Sequence, residues 1–154
     1  MQEAAATFQS WLALRGRSME QILSDLAFPP TAIKSQARYI HCAGLFRIYD
    51  QHIHPARFYF DADGGFVLIY LEYPATQYPD LTPEVLRSLL GERAAAAWPS
   101  RADDDHQQYI YPQQGVAFSA GYDEVSFIEI FLPTSLDHYR EQFYLDPTLL
   151  GDEG

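Results

Sequence analysis

The sequence predicts an α+β fold: one antiparallel sheet built from two tandem helix-plus-meander units, with the helices packed on one face. Three observations carry this expectation. The stretch DGGFVLIYLEYP, residues 63–74, returns as YDEVSFIEIFLP, residues 122–133. Upstream of each copy lies a short amphipathic segment with a helix-start signal, SMEQILSDLA from Ser18 and TPEVLRSLLG from Thr82. Successive strand-like runs are separated by turns too short for a parallel crossover, which implies antiparallel neighbours.

The elements follow in order. An N-terminal helix over 3–15 puts Phe8, Trp11 and Leu12 on one side and stops at Gly16. Ser18 and Thr82 are cap residues whose side-chain oxygens can satisfy first-turn N–H groups, and Gln21 completes a capping box. Pro83 stands where a helix tolerates proline, and Gly91 offers a stop. In the first unit, about 17–74, strands are expected over 38–50, 57–61 and 66–73, with DADGG as a tight hairpin turn. In the second, about 81–133, they are expected over 108–111, 116–119 and 124–132. A last helix over 135–144 has Ser135 as cap and Leu136, Tyr139 and Phe143 on one stripe. Residues 98–108 read as a mobile loop and 146–154 as a loose tail.

The repeat aligns without a gap from Phe66–Pro74 to Val125–Pro133: Phe66, Leu68, Ile69 and Leu71 fall on Val125, Phe127, Ile128 and Ile130. A helix ending near glycine or proline, then a meander, the unit duplicated, resembles the β-lactamase inhibitor protein architecture. Single units of similar design occur in the SmpA/OmlA family of small outer-membrane assembly lipoproteins. The resemblance spans about residues 17–133 and rests on element order and duplication. It implies a non-catalytic protein that grips another protein on its sheet. The chain departs from both families, with neither the inhibitor's disulfides nor the lipoproteins' export signal and anchor cysteine, so no contact residue is carried over.

Composition narrows the partner. The chain has 154 residues, 47% of them apolar, enough for one domain with a real core. Its net charge is −11, and eleven of its acids lie beyond residue 102, where Arg140 is the one base. Such a surface repels nucleic acid and anionic membrane and attracts a basic protein. No apolar run is long enough to span a bilayer, and no secretory signal is expected. The single cysteine, Cys42, fits a reducing, cytoplasmic setting.

Strand alternation predicts the working face. Val67, Ile69, Leu71 and Tyr73, with Ser126, Ile128, Ile130 and Leu132, form an aliphatic side that belongs under the helices. Phe66, Leu68, Tyr70 and Glu72, with Val125, Phe127, Glu129 and Phe131, form a side of rings and carboxylates. Burying an unpaired carboxylate is costly, so Glu72 and Glu129 are expected to meet water or a cation, and this side to be open. Tyr39, Tyr59, Tyr109 and Tyr111 on neighbouring strands add rings suited to contact. Together with Tyr70, Glu72, Phe127, Glu129 and Phe131 they form the expected partner-binding set. The alternatives are cover by the N-terminal helix or by a second copy in a homodimer.

Chemistry is weakly signalled. His52 and His54 in DQHIHP have a metal-ligand spacing, and DDDH at 103–106 has hard-cation atoms, but neither matches a complete ligand pattern. No nucleophile elbow or phosphate loop occurs. The expectation is therefore a non-enzymatic module with no catalytic residues, metal or cofactor, of the inhibitor or immunity type. A small-molecule carrier with a sheet–helix groove is the alternative, followed by a metal-dependent enzyme.

Overall fold

The protein is described by a computed structural model over residues 2–148. Helix α1 (Gln2–Leu12) turns Ala4, Phe8 and Trp11 into the core. Helix α2 (Met19–Asp25) begins with the expected capping box: Ser18 Oγ accepts the Gln21 N–H at 3.2 Å, and Gln21 Oε1 accepts the Ser18 N–H at 2.9 Å. Helix α3 (Pro83–Leu90) is capped by Thr82 Oγ1 on the Val85 N–H and ends at Gly91. Helix α4 (Leu136–Phe143) is capped by Ser135. Of the tail expected over 146–154, residues 149–154 lie outside the described residues.

The strands are β1 (Ile33–Tyr39), β2 (Cys42–Asp50), β3 (His54–Phe60), β4 (Phe66–Glu72), β5 (Ala96–Pro99), β6 (Gln107–Tyr111), β7 (Val116–Ala120) and β8 (Val125–Ile130). They form one antiparallel sheet in the order β1-β2-β3-β4-β8-β7-β6-β5. Two differences from the sequence reading stand out. The run expected over 38–50 is split by a hairpin turn into the end of β1 and the whole of β2, because the chain reverses at Ile40 with φ +54 and no turn residue to announce it. Part of the expected loop at 98–108 is β5, which brings Trp98 and Pro99 into the sheet.

The strand order reads the same from either edge, and the register makes this exact at the seam. On β4 and β8, Tyr70 lies opposite Glu129, Ile69 opposite Ile130 and Leu71 opposite Ile128. Tyr70 and Glu129 are also the residues that the sequence repeat superposes. An approximate two-fold axis therefore passes through this pair, normal to the sheet. The register slips at matching places in both halves, between Phe66 and Leu68 against β3 and between Val125 and Phe127 against β7. Each slip is a bulge, which adds a residue and reverses the faces beyond it.

The bulges correct the expected alternation. Phe66 and Val125 join the helix-side core, whereas Val67 packs with the opposite side and Ser126 bonds Ser119 there. The helix side holds Ile48, Phe58, Phe60, Ile69, Leu71, Phe118, Ile128 and Ile130 against α1, α2 and α3. Tyr109 and Tyr111 also belong to this side, not to the ring-bearing one.

The ring-bearing side is not open. Helix α4 lies on it and buries Tyr139 and Phe143 against Phe131, Leu68, Ala117 and Ile110. The β1–β2 hairpin folds over the same helix: the His41 N–H reaches the Gln142 carbonyl, and His41 Nε2 lies 2.8 Å from the Tyr144 carbonyl oxygen. The cover is thus the chain's own helix α4. The apolar stripe of Leu136, Tyr139 and Phe143 announced a packed helix, but it is silent on which side of a sheet that helix chooses.

Candidate functional site

The centre of the covered side is polar. Glu129 has 0% exposure, so of the expected water or cation it meets no water, and the cation beside it is Arg101; the expectation that its side is open is corrected. Its carboxylate instead accepts the hydroxyls of Tyr39 and Tyr139, with Gln108 Nε2 at 3.4 Å and Arg101 Nη1 at 3.9 Å. Gln108 Nε2 also donates to the Tyr139 oxygen. These partners come from β1, α4, β6 and the loop after β5. A buried carboxylate tolerates desolvation only when its lone pairs are filled in this way. Burial nevertheless raises the Glu129 pKa, and Arg101 is the main opposing influence. Burial beside this carboxylate raises both the Tyr39 and Tyr139 phenols.

Arg101 closes the cluster from the solvent side. Its side chain is 17% exposed, and Nη2 donates to the Tyr39 hydroxyl oxygen at 2.9 Å. The Tyr39 hydroxyl thus donates a hydrogen bond to Glu129 while accepting one from Arg101, which couples the two charges through one hydroxyl. The guanidinium carbon lies 4.2 Å from the Phe127 ring centre, 5.6 Å from that of Tyr39 and 5.9 Å from that of Tyr70. Burial opposes the cation, but Tyr39, Glu129 and Tyr70 together outweigh it and hold the Arg101 pKa above its ordinary value.

Outside Arg101 the surface dips into an open groove of about 370 Å³, lined by Tyr70, Glu72, Tyr73, Ala102, Ser126 and Phe127 among others. Tyr73 is 41% exposed. Burial pushes the Tyr70 phenol up to about 12. Glu72 is exposed and pairs with Arg57 at 3.0 Å. On one flank the chain runs from Ala102 into exposed Asp103, Asp104 and Asp105. On the other, Ser126 follows the β7–β8 turn, where Tyr122, Asp123 and Glu124 are all exposed. His106 packs against Gly121 and holds the two flanks together.

The predicted partner-binding residues therefore divide. Tyr70 and Glu72 face the groove. Phe127 lines it from beneath at 1% exposure. Tyr39, Tyr59, Glu129 and Phe131 are buried on the α4 side, and Tyr109 and Tyr111 lie on the other. Sequence reasoning missed Arg101, Gln108 and Tyr139. No spacing signal could have grouped them, since the cluster joins segments up to 100 residues apart.

The remaining chemical candidates have local roles. His54 Nδ1 accepts the Ala56 N–H at 3.0 Å, and burial lowers its pKa. His52 is exposed. Burial raises the Cys42 thiol, which is the opposite of activation. Ser100, Ser119, Ser126 and His106 form a buried chain of hydrogen bonds that ties the 100–106 loop to β7 and β8. Among the described residues no group of three or more His, Cys, Asp or Glu is placed to hold a metal ion, and no helix is long and apolar enough to cross a membrane.

No protein-family model matches the chain, and no curated protein or solved structure matches it.

Proposed function

We propose that the protein is a non-catalytic protein-binding module of the inhibitor or immunity type, cytoplasmic, with a basic partner. The observation that carries this reading is the groove beside Arg101. It brings half-buried Tyr70 and exposed Tyr73 beside Glu72 and between two acidic flanks. Tyrosine supplies contact area and a hydroxyl at small entropic cost, and surrounding carboxylates steer a cationic partner and fix its orientation. The duplicated helix-plus-meander order, which resembles a protein-gripping architecture, points the same way.

The test is charge reversal on the flanks. Asp103→Lys, Asp104→Lys and Asp123→Lys together should leave the melting temperature nearly unchanged, because all three side chains are exposed. Specific, salt-sensitive capture of a partner from host lysate should be lost. Identical captured proteins with the parent and the reversed variant would count against the reading.

A second groove favours a carrier as the other reading. It measures about 530 Å³ and lies between the β1–β2 hairpin and α4, with Leu45, Phe66, Phe131, Leu132 and Phe143 in its lining. Native mass spectrometry of freshly purified protein should then show a bound apolar molecule.

A further inference from the structure

Three rings and a carboxylate surround Arg101 in the manner of a receptor for a cation. Phe127 presents its face 4.2 Å from the guanidinium carbon, with Tyr39 and Tyr70 on other sides. Ring faces attract cations electrostatically, and the attraction grows as water is excluded. Glu129 supplies the counter-charge at the floor, fully buried and oriented by Tyr39, Tyr139 and Gln108. All of the site's walls are built from β1, β4, β6, β8 and α4. Its occupant comes from elsewhere, the loop that leaves β5.

That loop is tied at both ends and projects between them. Ser100 is anchored by its hydroxyl to Ser119, and its N–H donates to the His106 carbonyl. His106 is anchored to Ser126. Residues 102–105 between these anchors are exposed. Arg101 is the residue of this excursion that turns inward, and its hydrogen bonding is incomplete. Nη2 reaches Tyr39, but buried Nη1 has no hydrogen-bond partner and stands 3.9 Å from the carboxylate. A guanidinium on a free side chain could approach Glu129 in a closer, two-pronged geometry than the tethered loop allows.

We propose that this cage is a receptor site for an arginine side chain of the partner, kept filled by Arg101 until that side chain replaces it. The inference rests on the reading of the protein as a binder of a basic partner and names the group it recognises. Exchange trades one guanidinium for another, so the cage itself stays neutralised throughout. Affinity then comes from the better-seated fork and from the carboxylates along the groove. The groove that opens at Arg101 and is lined by Tyr70 and Phe127 is the entry path.

The cage can be tested without any partner. Arg101→Ala and Arg101→Gln empty it, and methylguanidinium is the probe, titrated by calorimetry and by thermal shift at matched ionic strength. At least one emptied variant should bind methylguanidinium at least about tenfold more tightly than the parent protein, and than its own double variant with Glu129→Gln. Methylammonium, which lacks the planar fork, should bind less well. If the emptied variants do not fold alone, methylguanidinium should restore the native circular dichroism where equal sodium chloride does not. Equal binding by parent, emptied and double variants, or no selective restoration, overturns the proposal. Should the probe fail while charge reversal on the flanks still abolishes capture, the receptor site falls and the basic-partner reading stands.

Discussion

Tyr39, at the end of an edge strand, donates its hydroxyl to Glu129 on β8, with three strands between them in the sheet order. In a flat sheet that separation would be about 19 Å, at roughly 4.8 Å per strand. A tyrosine side chain cannot cover it. The sheet must curl around α4, and the ring contacts trace the curl: Tyr39 lies 5.2 Å from Tyr59 and 5.6 Å from Tyr70 between ring centres. Register shifts and Gln36 at φ +56 let β1 bend in this way.

The curl makes the hydroxyls at Glu129 structural. Tyr139→Phe removes a donor to the carboxylate and the acceptor of Gln108. It should cost about 1–3 kcal/mol in urea unfolding, since a buried partner is left unsatisfied. Tyr39→Phe should fall in the same range. Tyr73→Phe, at the exposed rim, should stay within about 0.5 kcal/mol.

The pH dependence follows from the direction of the Glu129 shift. Burial raises its folded pKa above the unfolded carboxylate value. The folded state therefore holds this proton more tightly, and the associated stability is complete below the unfolded pKa. It is lost as pH rises from that value through the folded pKa. Glu129→Gln removes this dependence. The stability of the parent relative to Glu129→Gln should fall as pH rises through that window, read from urea midpoints at a series of pH values. A constant difference would show that the carboxylate is not desolvated as the structure places it.

Phe131 separates a contact residue from a core residue. It is 1% exposed and packs on Tyr139 and Phe143 at 5.3 and 5.5 Å between ring centres. Phe131→Ala should cost about 3–5 kcal/mol by urea denaturation. A nearly unchanged midpoint would restore it to the exposed set.

Two glycines with the same backbone angle should respond differently. Gly44 and Gly115 both have φ +68, but a Cβ at Gly44 meets nothing within 4 Å. At Gly115 it would stand 2.1 Å from the Phe131 carbonyl oxygen. Gly44→Ala should cost about 1–2 kcal/mol from the left-handed conformation alone. Gly115→Ala should cost distinctly more, because backbone must move, and thermal unfolding of the two variants compares them directly.

The helix side of the sheet was legible in the sequence, and the other side was not. Ile69, Leu71, Ile128 and Ile130 alternate cleanly, and Ser18 and Thr82 mark their helices by short-range chemistry. The ring-bearing side depends on long-range closure. Glu129 reads as a solvent residue until Tyr39, Gln108, Arg101 and Tyr139 are brought round it. The β1–β2 reversal at Ile40 carries no Gly, Pro, Asn or Asp in its two turn residues, and β5 is four residues within an alanine-rich run. The bulges at 66–67 and 125–126 are likewise unannounced by any glycine within those pairs.

The position of α4 beside the Tyr70–Glu129 pair has a wider consequence. The repeat-matched pair α2 and α3 can satisfy a two-fold axis, with α1 added on their side, whereas α4 has no matched partner on its side among the described residues. Beneath α2 and α3, matching places therefore keep matching characters: Phe58 with Phe118, Ile69 with Ile128, Leu71 with Ile130. Beneath α4 they diverge: Tyr59 with Ser119, Arg57 with Ala117, Tyr70 with Glu129. Among the described residues, a lodger without a twin on a symmetric floor thus turns matching halves into a left and a right, and one of them furnishes a charged recess.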